Sequence, residues 1–145
     1  MSLWTTNGQG ESDMAVYSSF EQMGDILKAV FESVFDDPTA GRKLKKVNLV
    51  VKYVIKDPDG VVWVDTGLHK VLLGTYDRNP TVELTAEGDS FHDFLLKKVS
   101  ITDLLLKKKI SAKGPFPKFM KMMPLLNKAY EIYPEIAEKN GIPVD

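Results

Sequence analysis

The sequence predicts an α+β domain: a five-stranded, mostly antiparallel sheet with helices layered on one face. Three observations lead to this prediction. Apolar residues recur at spacings of three and four near both ends of the chain, which is the period of an amphipathic helix. Apolar and polar residues alternate in several short segments of the middle, which is the period of a strand. Strands grouped in one block with helices at both ends are typical of α+β domains.

The length and composition indicate one globular domain. The chain has 145 residues, of which 43% are hydrophobic and 27% charged, and a chain of this size can bury a sizeable core. It contains no cysteine, which excludes disulfides and thiolate sites and fits a reducing, cytoplasmic location. The absence of a long apolar run and of a secretory signal supports the same expectation. We expect residues 1–11 to be a disordered leader or tag remnant and residues 12–145 to form the domain.

The N-terminal half is predicted to be one helix followed by a meander of strands. Residues 12–36 form the helix, which Asp36-Asp37-Pro38 ends because the residue before proline avoids helical geometry. The turn Asp57-Pro58-Asp59-Gly60 is predicted to give Gly60 the positive-φ position. Turns this short join antiparallel neighbours. The four predicted strands are Lys45–Lys56, Val61–Thr66, His69–Tyr76 and Thr81–Glu87.

The C-terminal half is predicted to alternate short helices with one more strand. Ser90 with Asp93, and Ser100 with Asp103, each approximate a capping box that begins a helix. Proline is tolerated in the first turn of a helix and kinks its interior. The predicted elements are helices to about Lys98 and through Leu106, a strand over Ile110–Gly114, a helix from Pro115 or Pro117 that Pro124 kinks, and a last helix from Pro134 to Asn140-Gly141.

Residues 88–127 hold more large apolar side chains than one helix face accommodates. We expect them to wall an apolar cavity beside the sheet, where flexible methionine side chains adapt to varied ligand shapes. Plain core packing remains the alternative, and we favour it for Phe31, Val34, Val51 and Tyr53. The residues expected to line the cavity are Phe91, Phe94, Leu95, Leu105, Leu106, Phe116, Phe119, Met120, Met123 and Leu126.

Lysine dominates the same part of the chain. Residues 97–121 carry eight lysines and a single acid, Asp103. Lysine runs usually form a solvated face, and the alternative is docking onto anionic lipid headgroups, to which each lysine contributes about 1 kcal/mol. The lysines expected to meet headgroups or a membrane are Lys97, Lys98, Lys107, Lys108 and Lys109.

The sequence offers little for catalysis. His69 begins a predicted strand and is expected at the surface, and His92 lies in the first turn of a predicted helix, where we expect a capping role. No metal-binding histidine spacing, nucleophile elbow or phosphate-binding loop occurs. We therefore expect no catalytic residue, no metal and no cofactor. The basic stretch lacks arginine and interleaved aromatics, which argues against nucleic acid as a partner.

Three runs carry a resemblance to a known family. They are Thr-Val-Glu-Leu-Thr at 81–85, Ser-Phe-His-Asp-Phe-Leu at 90–95, and Leu-Leu-Leu-Lys-Lys-Lys-Ile-Ser-Ala-Lys-Gly at 104–114. With the preceding helix and strands, the chain resembles the sterol carrier protein type 2 domain family over roughly residues 12–130. The order of elements carries this resemblance. Lys108 stands where many members have glycine, and Pro115 stands where many have aspartate.

The resemblance implies both a fold and a function. The fold is a layered α+β domain with an apolar tunnel, and the function is non-catalytic binding and transfer of sterol-like, fatty acid or fatty acyl-CoA ligands. Expected partners are the lipid ligand and an anionic membrane surface, and the chain is expected to be a monomer or homodimer. A second hypothesis is a structural or accessory module that dimerises or supports an enzyme partner, with a core too well filled for a ligand. A lipid-handling enzyme is a third, disfavoured because no nucleophile stands beside a base.

Overall fold

The computed structural model describes residues 15–122 and 127–144. A five-stranded sheet carries helices on one face, which confirms the predicted α+β class. The predicted leader, residues 1–11, lies outside the described residues. The strands are β1 (Val50–Lys56), β2 (Gly60–Asp65), β3 (Lys70–Leu73), β4 (Val82–Glu87) and β5 (Ile110–Lys113). The helices are α1 (Phe20–Asp36), α2 (Pro38–Val47), α3 (Gly88–Leu95), α4 (Ile101–Leu106), α5 (Phe116–Lys121) and α6 (Asn127–Lys139).

Helix α1 begins later than the apolar spacing predicts. Ser19 is extended and its side chain accepts a hydrogen bond from the Gln22 N–H at 3.1 Å, so it caps the helix at Phe20. The chain before Ser19 is not helical, although Tyr17 within it is buried. Val16 and Tyr17 therefore contribute apolar side chains to the interior without belonging to the helix.

Helix α2 was not predicted, and its existence corrects the predicted first strand. Asp37 does not lead into a loop but caps a second helix. Its carboxylate accepts a hydrogen bond from the Ala40 N–H at 2.9 Å, and Pro38 occupies the first helical position. The helix ends where Asn48 turns left-handed with φ 53°. The predicted strand start at Lys45 is therefore wrong, because residues 45–47 complete a helix, and β1 begins only at Val50.

The turn between β1 and β2 lies where it was predicted, but glycine serves a different purpose there. Asp57, not Gly60, takes the left-handed conformation, with φ 52°. A side chain at Gly60 would collide with the Phe20 ring, which packs directly against this glycine. Close approach of α1 to the turn, rather than backbone conformation, is what requires glycine.

The strand order is β3-β2-β1-β4-β5, and three of the four pairings are antiparallel. The exception is β4, which pairs with β1 in parallel, with Val51 opposite Val82. The predicted four-strand meander is therefore wrong at its last step. Because β3 and β4 run in the same direction, residues 74–81 must return along the length of the sheet.

The returning segment covers β2 on the face away from the helices. Val62 and Val64 point to the core, so Trp63 and Asp65 point to the opposite face. Trp63 donates its ring N–H to the Gly74 carbonyl at 3.0 Å and meets the Tyr76 ring edge at 5.8 Å. This contact places Trp63 under the segment, and it is 7% exposed.

Asp65 fastens the other end of the segment. Its carboxylate accepts from the Tyr76 hydroxyl at 2.7 Å, the Arg78 guanidinium at 2.7 Å and the Leu68 N–H at 3.0 Å. Desolvation opposes ionisation of this buried group, but the three donors outweigh it and hold the pKa of Asp65 below its usual range. The cluster thus satisfies a buried charge and ties the segment to the sheet.

The C-terminal helices confirm some predicted boundaries and correct others. The capping box of Ser100 and Asp103 is present in both directions, at 3.0 and 3.2 Å. The one predicted from Ser90 and Asp93 is not, since α3 begins at Gly88 without a side-chain cap. The predicted kink at Pro124 lies outside the described residues. Pro134 lies inside α6 rather than at a helix start, because a stripe of buried residues continues through it: Ala129, Tyr133 and Ala137.

Candidate functional site: an apolar cavity and the groove beside it

An enclosed apolar cavity lies between the helices and the sheet, and its volume is about 30 Å³. A space of this size admits roughly one water molecule, and apolar walls keep such a space dry. Seven elements contribute to the wall: α1, β1, β4, α3, α4, β5 and α5. The wall residues are Leu27, Phe31, Tyr53, Leu84, Ala86, Phe91, Phe94, Leu95, Ile101, Leu104, Ile110 and Phe119.

The structure brings four of the predicted cavity residues into this wall and leaves four others out. Phe91, Phe94, Leu95 and Phe119 line the cavity. Met123 and Leu126 lie outside the described residues. The four that do not line it, contrary to the prediction, are Leu105, Leu106, Phe116 and Met120.

The register of α4 explains the misplaced leucines. The helix begins at Ile101, and residues three apart lie on one face, so Ile101 and Leu104 point inward. Leu105 is then half-buried at the side, and Leu106 points outward with 78% of its surface exposed. Phe116 is half-buried and packs on Phe119 with ring centres 5.6 Å apart.

Several wall residues were not predicted. Leu27 and Phe31 come from α1, and Tyr53, Leu84 and Ala86 come from the inward side of β1 and β4. Strand alternation identifies the last three as inward-facing, but not as lining a cavity rather than core. Burial raises the pKa of Tyr53, which stays neutral within this apolar wall.

The cavity that the sequence predicts is therefore present but nearly filled. Small-molecule sites usually have volumes of roughly 300–1,000 Å³, about ten times the space observed here or more. An acyl chain can enter only if wall side chains move apart.

An open groove of about 560 Å³ adjoins the cavity. Phe94 and Ile101 line both spaces, so the groove and the cavity meet at these two residues. The Phe94 ring meets the Tyr130 ring edge-on at 5.8 Å, and the Lys97 ammonium lies 5.5 Å from the centre of the same tyrosine ring. The groove is lined by Phe94, Lys97, Lys98, Val99, Ser100, Ile101, Thr102, Asp103, Met120 and Tyr130.

The structure divides the five predicted headgroup lysines into two groups. Lys97 and Lys98 line the groove, and both are exposed. Lys107, Lys108 and Lys109 follow α4 directly and are also exposed. A second shallow groove, of about 400 Å³, is lined by Lys56, Thr85, Ala86, Glu87, Lys108, Lys109 and Ser111.

The predicted capping role of His92 is wrong, because the ring is buried rather than at the helix start. His92 is 3% exposed and its Nδ1 lies 2.6 Å from the Tyr133 hydroxyl, which in turn hydrogen-bonds the Tyr17 hydroxyl. Burial lowers the pKa of His92 and raises that of Tyr133 to about 12. All members of this cluster are neutral near pH 7, and none lines the cavity.

His69 is half-buried rather than freely exposed. Its Nε2 lies 2.7 Å from the Gly41 carbonyl oxygen, and its ring stacks on Phe35 at 4.6 Å. Within residues 15–122 and 127–144, no three His, Asp or Glu side chains come together in a way that could hold a metal ion. No helix in those ranges combines the length and apolar character that a bilayer crossing requires.

Sequence comparison with protein families gave a match over most of the chain. The sequence profile of the SCP-2 sterol transfer family matches residues 27–127. That range contains all the described wall and groove residues except Tyr130. Comparison with curated protein sequences gave no significant match.

Solved structures share the fold at low sequence identity. Sterol Carrier Protein 2 from Yarrowia lipolytica, in its apo form, has a TM-score of 0.63 and 19% identity, covering 81% of this chain and 98% of its own. Palmitated SCP2L2 from Aedes aegypti has a TM-score of 0.55 and 22% identity, covering 75% and 95%. The UbiJ-SCP2 ubiquinone synthesis protein has a TM-score of 0.61 and 10% identity, covering 76% and 97%.

Proposed function

The chain belongs to the SCP-2 sterol transfer family, and on that premise we propose that it binds a lipid by its acyl chain in the core cavity and transfers it without catalysing a reaction. The single observation that carries this proposal is the relation between two spaces. A cavity with an apolar wall adjoins an open groove, and two residues, Phe94 and Ile101, line both.

The energetics favour an unbranched chain as the ligand. Each methylene that leaves water contributes about 0.8 kcal/mol, so a long chain gains enough to offset the separation of wall side chains. Phe94 is half-buried and contacts Tyr130 across the groove, so its ring can swing outward without leaving apolar surroundings. A linear chain needs a narrower opening than a sterol ring system, which makes a fatty acid or fatty acyl ligand the leading candidate.

The polar end of such a ligand would lie in the groove. Lys97 and Lys98 lie there beside apolar Phe94 and Met120, so a carboxylate or phosphate can contact lysine while its chain enters the core.

We further propose that residues 12–145 act as one lipid-binding domain in the cytoplasm. Two observations support this: the chain has no cysteine, and α6 packs on α1.

Filling the cavity should weaken ligand uptake. Ala86→Leu adds carbons to the cavity wall. We expect it to lower the affinity for palmitate, measured by displacement of a fluorescent fatty acid, by about tenfold or more, equivalent to 1.4 kcal/mol. The matched control is Thr85→Leu, which lies next to Ala86 but points to the opposite face of β4. Urea unfolding should accompany the titration, since overpacking costs about 1–3 kcal/mol. Absence of saturable binding by the wild-type protein would refute the proposal.

Reversing lysine charge should weaken membrane association. The double variant Lys107→Glu and Lys108→Glu is expected to cosediment less with anionic vesicles, by tenfold or more, because each lysine contributes about 1 kcal/mol at such a surface. The control variant is Lys43→Glu with Lys45→Glu, which alters two exposed lysines of α2. Equal loss in both variants would show a general charge effect and contradict docking through the residues after α4.

A second candidate function is an accessory module that supports a partner protein without a ligand. The small volume of the cavity, about 30 Å³, favours it, and a ubiquinone synthesis protein shares the fold. Native mass spectrometry of the purified protein separates the two candidates. A co-purified lipid mass supports the carrier, and a ligand-free dimer that also fails the palmitate titration supports the accessory role.

A further inference from the structure

Leu106 is the most exposed of the large hydrophobic residues in the described part of the chain. It is 78% exposed, against 53% for Leu68 and 36% for Leu73. One exposed leucine is ordinary on a protein surface. Leu106 differs in its position, because it ends α4 and is followed at once by three exposed lysines, Lys107–Lys109.

Helix α4 forms part of the cavity wall. Its two buried residues, Ile101 and Leu104, both belong to the cavity wall, and Ile101 also lines the groove. The helix has only six residues, and short helices depend on tertiary packing for their stability. An outward movement of α4 would therefore enlarge the cavity and withdraw Ile101 from the place where the cavity meets the groove.

The surroundings of Leu106 suit an anionic bilayer more than a protein surface. Residues 97–121 carry eight lysines, all exposed, and only Asp103 as an acid. Lysines of this kind attract anionic headgroups, and a leucine between them can reach the acyl boundary below. We propose that α4 is a lid that opens on an anionic membrane: Leu106 inserts, Lys107–Lys109 bind headgroups, and Ile101 and Leu104 leave the cavity wall. This inference rests on the proposed lipid-binding function.

Insertion can be measured directly because the chain contains no cysteine. The variant Leu106→Cys carries one environment-sensitive fluorophore, and Leu68→Cys, at an exposed leucine of the turn between β2 and β3, is the matched control. With vesicles of phosphatidylcholine and phosphatidylserine, we expect a blue shift and quenching by lipid-borne nitroxide at position 106 only. Equal responses at both positions, or none at position 106, would overturn the proposal. A concentration-dependent shift without vesicles would also overturn it, because it would indicate contact between two copies of the chain.

The opening of the lid has a separate readout. Leu106→Ser should slow transfer of a fluorescent fatty acid to anionic vesicles about tenfold, since it removes roughly one leucine's insertion energy. Its affinity for the same probe without vesicles should stay unchanged, and Leu68→Ser should change neither quantity. Unchanged transfer by Leu106→Ser would rule out the lid. Failure of the vesicle-free titration would instead refute the underlying lipid-binding function, so the two failures are distinguishable.

Discussion

At the scale of single residues, the buried hydrogen bonds around Tyr133 join His92 and Tyr17. The pKa of His92 reflects burial first, opposed by Asp93, by a hydrogen bond to the Pro143 backbone and by Asp89. The neutral ring carries one N–H, so its tautomer decides whether Nδ1 donates to the Tyr133 hydroxyl or accepts from it. The cluster joins the segment before α1 to α3, α6 and the C-terminal residues, with every described member neutral.

Acid should weaken this cluster. The folded-state pKa of His92 lies below the ordinary value of about 6.5, so the unfolded chain takes up the proton first as pH falls. The free energy of unfolding should therefore decline below about pH 6.5, until the folded-state pKa is reached. Burial is the reason: the charged ring is desolvated inside the protein, and the attraction of Asp93 and Asp89, opposed by Lys98, does not outweigh that cost.

The variant His92→Gln tests this sign. Above the ordinary histidine pKa it should be less stable than wild type by about 1–3 kcal/mol, because a buried partner is lost. Below that pKa the difference should narrow, since glutamine does not titrate. Urea unfolding above and below the ordinary histidine pKa measures this difference in stability. A difference independent of pH would contradict the lowered pKa of His92.

The sequence could not show which apolar side chains of a helix point inward unless the first residue of that helix was also known. Three successive leucines, 104–106, do not show by themselves which one points inward, and only the observed helix start at Ile101 decides it. The backbone at Lys108 is left-handed, with φ 58°, a region that favours glycine. The glycine that many family members place there is thus explained by backbone conformation. The contact of His92 with Tyr133 joins residues 41 positions apart, which local patterns cannot indicate.

At the scale of elements, the short helix α4 is stabilised by its capping box as well as by the cavity wall. Ser100→Ala removes the side chain that accepts from the Asp103 N–H and should destabilise the helix by about 1 kcal/mol. If α4 is the moving part, a fluorescent fatty acid should then associate about fivefold faster in stopped-flow measurements without vesicles.

The control for this prediction is Ser19→Ala, which removes an equivalent cap from α1. That helix packs against α6, α2 and the sheet, so the change should lower global stability without accelerating association. Equal acceleration in both variants would show that α4 has no special role in entry.

Elements with strong periodicity were predictable, and connections between them were not. The alternation in β1 and β4 predicts both strands and their inward sides. Helix α2 was not predicted because its sequence signal, the cap Asp37-Pro38, is equally typical of the end of the preceding helix. The parallel pairing of β4 depends on the path of residues 74–81 across Trp63 and Asp65, which is a tertiary contact rather than a turn signal.

At the scale of the whole molecule, function depends on how readily a packed core separates. One side of the cavity is the sheet, braced on its other face by residues 74–81 through Asp65. The other side consists of the long helix α1 and three short helices, α3, α4 and α5, of eight, six and six residues. This asymmetry predicts that the short helices move and that the sheet and α1 do not. The surplus of apolar residues could be predicted from the sequence, but the extent to which they fill their own space could not.

The most direct test is to locate a bound acyl chain by nuclear Overhauser effects between isotope-labelled palmitate and the methyl groups of the protein. We expect effects to Leu27 on α1, Leu84 on β4 and Ile110 on β5, which surround the present cavity of about 30 Å³. Effects confined to Val99 and Met120 in the groove, with none to those three residues, would contradict binding of the acyl chain in the cavity.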